Sequence, residues 1–375
     1  MKVVYDSEIF LLQKYGGVSR YFAQVISQFV INKSLEIDAE FAFSRTNNRY
    51  LQKLNEEGVF NFKNLAMPYL SPTSPKKMLL TYGLFKTLNA SFASGSRAGI
   101  SRGKFFHATY YRPNILESLG HKKLAITVHD FIPEKLGWNG IRNPHLGKKQ
   151  LLNRADLIFC VSQTSANEIS QFYGVRDAKF VVVPHGVKAI SSVQDKVSNV
   201  INPNVIYVGH RSGYKNFGQL AKALNLLWQK GFDIELNTVG PEFSAAEIKE
   251  YFDSNHIKNW RHHTNISDND LMGLYRKASA LVITSKMEGF GLPILEAFSQ
   301  GTAVIASQIK VFEEVCNDLG VFFEVDNPES LAQAIKDQVS NASNLDQIRK
   351  RLAHASNSTW LHSAKKMSYA YKQLD

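Results

Sequence analysis

Glu288 and Glu296, eight positions apart, bracket a segment able to hold a charged, hydroxyl-rich ligand: Thr284-Ser285-Lys286-Met287-Glu288-Gly289-Phe290-Gly291-Leu292-Pro293-Ile294-Leu295-Glu296. The apolar run Ala280 to Thr284 predicts a buried strand, and Pro293 suits the first turn of a helix, where its missing N–H costs nothing. A loop therefore joins strand end to helix start, and the helix's first amides, near Phe290 to Leu292, point outward with partial positive charge, ready for a phosphate. Gly289 and Gly291 allow close approach and can adopt positive φ. Carboxylates repel phosphate, so Glu288 and Glu296 fit the neutral parts of the same ligand, such as vicinal sugar hydroxyls. Most glutamate pairs are simply solvated, but here strand, glycines, proline and spacing agree.

A second set of groups lies in Val208-Gly209-His210-Arg211-Ser212-Gly213-Tyr214-Lys215-Asn216-Phe217, where Arg211 offers a planar fork and Lys215 a compact charge to a diphosphate leaving group. Two cations in a surface loop are ordinary, and only the strand-to-helix placement makes them candidates. In the first half, Gly16 and Gly17 stand before Arg20, between a strand at Lys2 to Asp6 and a helix from about Ser19 to Ile31. Such pairs usually just make turns, yet the placement repeats the anion-prepared geometry. His129 and Asp130 end an apolar run at Leu124 to Val128, and His107, Tyr110 and Arg112 end another at Phe105 to Ala108. A lone histidine is more often structural than catalytic, and an aspartate there can simply cap the next element.

The elements that must position these groups alternate strand and helix twice over. Strands are predicted at Ile37 to Phe43, Leu157 to Val161 and Phe180 to Val183, then, after Pro184-His185-Gly186-Val187, at Asn204 to Val208, Ile234 to Val239, near Trp260, and at Ala280 to Thr284, Ala303 to Ala306 and Val321 to Val325. Helices are predicted at about Phe217 to Lys230, Ala245 to Asn255 and Asp268 to Ala278, with Ser267 and Asp270 forming a capping box rather than a metal-binding Asp-x-Asp. Both halves thus read as α/β, doubly wound on parallel sheets. The division is a first domain over 1–188, a linker over 189–203, a second domain over 204–358 and a final helix over 359–375, with Trp360, Ala364, Met367 and Tyr371 on one side. The stretch Pro68 to Lys104 departs from this rhythm. From Lys76 to Lys123 there are nine Lys/Arg, among them Lys76, Lys77, Lys86, Arg97, Arg102 and Lys104, against the single acid Glu117. That is a solvated face or a surface for anionic lipid.

Composition narrows the classes. A chain of 375 residues exceeds a typical single core, and its net charge of +11 attracts nucleic acid, membrane lipid or a phosphorylated substrate. Nucleic acid is disfavoured because no helix-turn-helix or aromatic-basic stacking motif is present. The two cysteines, Cys160 and Cys316, lie far apart in apolar runs, as reduced thiols of a cytoplasmic protein do. Lys2, Asp6 and Glu8 argue against a signal peptide at the start of the chain, and no apolar run approaches the ~20 residues of a membrane span. Walker, GxGxxG and G-x-S-x-G motifs are missing, so neither an NTPase, a nicotinamide enzyme nor a serine hydrolase is expected.

In order along the chain, Tyr15-Gly16-Gly17-Val18-Ser19-Arg20, His129-Asp130, Arg211 with Lys215, and Glu288-x7-Glu296 resemble the signature elements of glycosyltransferase family 4, a retaining family with the GT-B fold. The resemblance implies two Rossmann-like domains facing across a cleft, with the last helix crossing back to the first domain, and hexose transfer from a nucleoside-diphosphate sugar with no metal or cofactor. It assigns donor contacts to Gly16, Gly17, Arg211, Lys215, Glu288, Gly289, Phe290, Gly291, Leu292 and Glu296. Catalysis falls to His129, Glu288, Arg211 and Lys215, and weaker acceptor contacts to Asp130, His107, Tyr110 and Arg20. The loop Gly213 to Phe217 resembles that of bacterial polysaccharide mannosyltransferases, which favours GDP-mannose over UDP-hexoses. The acceptor is then a glycan or lipid-linked glycan in surface polysaccharide or lipopolysaccharide synthesis, met by a cytoplasmic protein peripheral to the inner membrane face. A nucleotide-sugar epimerase or hydrolase on the same fold is the alternative, leaving the basic stretch unexplained.

Overall fold

The computed structural model describes residues 1–43, 45–64, 103–139, 143–175, 180–188, 203–211, 213–341 and 344–374. The stretch carrying Lys76, Lys77, Lys86, Arg97 and Arg102, and the linker over 189–203 except Pro203, lie outside the described residues, while Lys104 is exposed. The chain forms two compact units, Met1–His185 with Trp360–Asp375, and Gly186–Thr359. Among the described residues no helix is long and apolar enough to cross a membrane.

In the first unit β1 (Lys2–Tyr5) and β2 (Asp38–Phe41) are followed by a two-stranded ribbon of β3 (Arg45–Thr46) and β4 (Lys63–Asn64). Next come β5 (Phe105–Ala108), β6 (Lys123–Val128), β7 (Leu157–Cys160) and β8 (Phe180–Val182). The sheet runs β2-β1-β5-β6-β7-β8 with every pair parallel. All four residues of β5 and of β7 are buried, as strands covered by helices on both faces must be. The order reverses direction between β1 and β5, the crevice where open α/β sheets bind ligands.

The second unit repeats the plan with β9 (Asn204–Val208), β10 (Glu235–Val239), β11 (Trp260–His263), β12 (Ala280–Ile283), β13 (Ala303–Ser307) and β14 (Gly320–Phe323). Its order is β11-β10-β9-β12-β13-β14, again all parallel, so the reversal falls between β9 and β12. The helix Phe217–Gln229 buries Phe217, Leu220, Leu224 and Leu227, a helical stripe worth roughly 1.5–3 kcal/mol per side chain. That anchoring fixes the loop leading out of β9.

Two predicted helices repay attention. The helix Asp268–Lys277 starts on the expected capping box, with Ser267 and Asp270 bonding each other's amides. Over 245–255, by contrast, one α-turn at Ala245–Glu247 gives way to a π-helix at Ile248–Asp253. Tyr251 and Phe252, adjacent within this wider turn, are both buried. The terminal helix Trp360–Gln373 belongs to the first unit and buries Trp360, Ala364, Met367 and Tyr371, with the Tyr371 hydroxyl 3.2 Å from that of Tyr5. Its return to the first unit is as the sequence predicts.

Candidate active site

The loops leaving β9 and β12 flank the second sheet's reversal, and they are tied to each other. Thr284 Oγ1 donates to the Lys215 carbonyl at 2.8 Å and the Lys286 amide to the Tyr214 carbonyl at 2.8 Å. This docking sets the Lys215 ammonium 2.5 Å from Glu288 Oε1, which also accepts from Ser285 Oγ at 2.8 Å. The rim is closed by Asp326, which pairs with Lys286 at 2.7 Å and accepts from Asn216 Nδ2 at 3.1 Å. Behind the loop lies a polar cavity of about 320 Å³ lined by Arg211, Asn216, Gln219, Lys222, Tyr251 and Asp326. Neither Lys215 nor Glu288 lines that cavity.

The helix Leu292–Ser299 begins beside Glu288, with Pro293 in its first turn and Gly291 as its N-cap at φ 110. No side chain of Gly291 exists to cap it, and a Cβ there would lie 2.9 Å from Ile294 Cδ1 and 3.0 Å from Phe312 Cε1. Positive φ is found at Gly291 and not at Gly289. Glu296, one turn on, is buried and accepts from Tyr275 Oη at 3.1 Å. Phe290 is buried, while Leu292 is partly exposed.

Arg211 and Lys215 do not converge on one partner. Arg211 Nε donates to Glu247 Oε1 at 3.0 Å and its terminal nitrogens to the carbonyls of Pro241 at 2.7 Å and Glu242 at 2.9 Å. Its guanidinium also stacks 3.7 Å from the Phe243 ring centroid. It thereby joins the loops after β9 and β10, which approach so closely that a Cβ on Gly240 would sit 2.5 Å from the Gly209 carbonyl.

At the corresponding edge of the first sheet, His129 is 6% exposed and, among the described residues, neither ring nitrogen has a hydrogen-bond partner. The rings of Tyr21 and Phe22 stand 5.2 and 5.6 Å from it. Burial, reinforced by His185, holds the imidazole well below its usual pKa, so it is neutral with one donor and one acceptor unspent. A buried polar group of this kind needs a hydrogen-bond partner, whether water or ligand. Asp130, Tyr110 and Arg20 are half-buried near the same strand ends. His107 is not at the edge: it is fully buried, its Nε2 2.9 Å from Thr127 Oγ1 and its Nδ1 against Tyr371 Oη, so it braces the sheet. Gly16 is extended, and a Cβ there would strike the Gln13 side chain at 2.5 Å. That side chain accepts from the Ser19 amide at 3.0 Å and so takes up part of the expected anion-binding helix start.

Two acids at the first reversal were missed by sequence reasoning. Asp6 accepts from the Thr109 and Glu8 amides at 3.2 and 3.0 Å, and burial pushes its carboxyl up to about 6. Glu8 pairs with Arg112, yet burial outweighs that charge and raises it to about 8. The available signal was the bare fact of two acids directly after an apolar first strand.

Comparison with known proteins places these geometries in context. Residues 192–356 match the family model described as glycosyl transferases group 1, and residues 67–189 match that described as glycosyltransferase family 4. The serotype-specific mannosyltransferase WbdA of Escherichia coli is 24% identical over 338 residues, covering 80% of this chain but 41% of WbdA. The chain thus spans about two-fifths of that relative's length. The O-antigen chain mannosyltransferase RfbU of Salmonella typhimurium is 28% identical over 241 residues, 59% of this chain and 66% of RfbU. Among solved structures, Anabaena HepE in complex with UDP and glucose superposes with a TM-score of 0.68 at 15% identity, covering 100% of both chains.

Proposed function

We propose, for a chain that belongs with the glycosyltransferases of group 1 and family 4, transfer of a hexose from a nucleoside-diphosphate sugar to a hydroxyl of a glycan or lipid-linked glycan. The observation that carries this reading is the Lys215–Glu288 pair at the second reversal, beside a helix start with no side-chain cap. A diphosphate arriving there takes Lys215's ammonium and the amides near Phe290 to Leu292, and frees Glu288 for the sugar's hydroxyls. Glu296 holds the ribose, and Arg211 adds fixed positive charge to the same loop. His129 meets the donor sugar, with Asp130, Tyr110 and Arg20 toward the acceptor.

The reaction retains configuration. The bond from the anomeric carbon to the phosphate oxygen breaks, the acceptor oxygen bonds to that carbon on the same face, and the acceptor proton passes to the departing phosphate oxygen. Retaining glycosidases instead set a carboxylate nucleophile against the sugar, and no described carboxylate is assigned that part here.

GDP-mannose is the favoured donor, supported by the two mannosyltransferase relatives, with UDP-hexoses next because HepE is a UDP complex. The acceptor belongs to surface polysaccharide or lipopolysaccharide synthesis, met at the inner membrane face by the basic first unit. Release of GDP from GDP-mannose in the presence of acceptor tests the site: Glu288→Gln and Arg211→Ala variants that both turn over like the parent remove the assignment. Vesicle flotation with and without anionic lipid tests the membrane contact, and equal recovery in both would discard it.

A further inference from the structure

Lys148 has no part in the transfer described above, yet its fully buried ammonium lies under the turn that carries His129 and Asp130. At the start of the helix Lys148–Arg154, its Nζ donates to the Asp130 main-chain carbonyl at 2.5 Å and to Glu134 Oε1 at 3.2 Å. It stands 3.5 Å from the Phe131 ring centroid and 5.0 Å from that of Tyr111. Glu134 is itself held on three sides, since His145 Nδ1 lies 2.9 Å from Oε2 and Tyr173 Oη donates to Oε1 at 2.6 Å. The segment delivering the lysine fits closely against the end of β5: a Cβ on Gly147 would sit 2.4 Å from the Tyr111 carbonyl and from Pro113 Cδ.

Burying an ammonium is expensive, and an apolar side chain of similar length packs such a site at least as well. A buried cation therefore needs a task that packing cannot perform. The task visible here is fixing a turn that no sheet or helix ladder holds. Asp130 is anchored twice, by its carbonyl to Lys148 and by Oδ1 to the Ile132 amide at 2.9 Å. The His129 amide donates to Tyr111 Oη at 3.2 Å, and that ring lies beside the same ammonium.

We infer that Lys148, clamped by Glu134 and His145, is a positioning residue that fixes the His129–Asp130 turn for the transfer, an inference that rests on the function proposed above. It touches no reacting atom; it acts through the peptide it holds. Burial pushes its ammonium down to about 8, against the pull of Glu134 and Asp130, with Glu168 and Cys160 also within its field. Glu134 stays ionised: burial raises its carboxyl, but His145 and Lys148 overcome this and bring it to about 2. As pH rises through about 8 the clamp loses its charge and turnover falls. Stability moves the other way. Between about 8 and the ordinary value of 10.5 the unfolded chain binds more protons than the folded one, so this group's contribution to stability rises with pH.

The test compares the parent chain with Lys148→Met and Glu134→Gln, reading GDP release from GDP-mannose, GDP affinity by calorimetry and amide exchange at His129 and Ile132. Both variants are expected to lose roughly 10²-fold in kcat, the cost of a small misplacement, with GDP affinity unchanged. The amides of His129 and Ile132 should exchange faster while those of β12 keep their rates. Lys148→Met should lose the alkaline fall in turnover, and Glu134→Gln should shift it to lower pH. A folded Lys148→Met chain with parental kcat, or one that keeps the alkaline fall, overturns the inference. If that variant does not fold, a Glu134→Gln chain whose alkaline fall stays in place overturns it instead. A parent chain that binds none of GDP, UDP and ADP sinks the functional reading, and the exchange result then still reports whether Lys148 holds the turn.

Discussion

At the reversal of the second sheet, the side chains of Lys215 and Glu288 are 25% and 15% exposed and neutralise each other at 2.5 Å. At the matching end of the first sheet, Glu8 is buried and Asp6 half-buried, both with their carboxyls pushed upward, and His129 is kept neutral with no hydrogen-bond partner among the described residues. The two edges have the same strand geometry and differ in solvation. Partly exposed, mutually paired charges can exchange one partner for a ligand at a lower desolvation cost than fully buried ones, which suits an anionic diphosphate. Glu8 and His129, the neutral groups of the first edge, suit an uncharged hydroxyl, because a ligand that leaves a buried polar group unsatisfied is penalised. On the function proposed above, one fold used twice presents an edge for charge and an edge for hydroxyls.

That contrast exposes each side to separate attack. Glu288→Gln should keep the fold and lower kcat by roughly 10²–10³-fold, the range for removing one preorganised electrostatic partner. Steady-state nucleotide release measures it, and a parental rate would mean the charged edge does no chemistry. His129→Ala should lower kcat by roughly 10-fold, the worth of one neutral hydrogen bond, while nucleotide affinity, read by calorimetry, stays put. A loss of affinity instead would erase the division of labour between the edges.

The acid edge has its own signature in pH. With the folded carboxyl of Asp6 near 6 and the unfolded one near the ordinary 3.8, the folded chain binds more protons across that window. Its contribution to stability is therefore largest at or below about 3.8 and declines as pH rises toward 6, by on the order of 1–3 kcal/mol. Denaturant titrations of Asp6→Asn across the window should show a flatter curve than the parent. Gly291→Ala tests the charged edge by shape alone: with φ 110 and Phe312 in the way, it should cost about 1–3 kcal/mol by calorimetric melting.

The sheets were readable from the sequence because most of their buried strands are apolar runs with a glycine or polar break at the end; Glu235–Val239, with Asn237 and Thr238 buried, is an exception. Leu157–Cys160 and Ala303–Ser307 are such runs, and they form the parallel strands expected of them. The π-turn at Ile248–Asp253 was not readable, since two adjacent aromatics fit a helix pattern as well as they fit a wider turn. Of the candidate site, the Lys215–Glu288 loops follow from local signals, a strand, glycines and a proline. His107 looked like an edge residue because it ends a strand, and only packing against Tyr371, 264 positions away, reveals it as interior. Lys148 and Glu134 were invisible for the same reason. Their meaning comes from a carbonyl, an imidazole and a phenol supplied by separate segments.

The central claim is that the Lys215–Glu288 edge holds a nucleoside diphosphate. The direct measurement is calorimetric titration of the full chain with GDP, UDP and ADP, repeated on Lys215→Met. Saturable binding of one of them, GDP foremost, that weakens by roughly 10–10²-fold in the variant is the predicted result, as befits loss of one charge-assisted contact. Binding of none by the parent chain, or equal binding by parent and variant, would contradict the account.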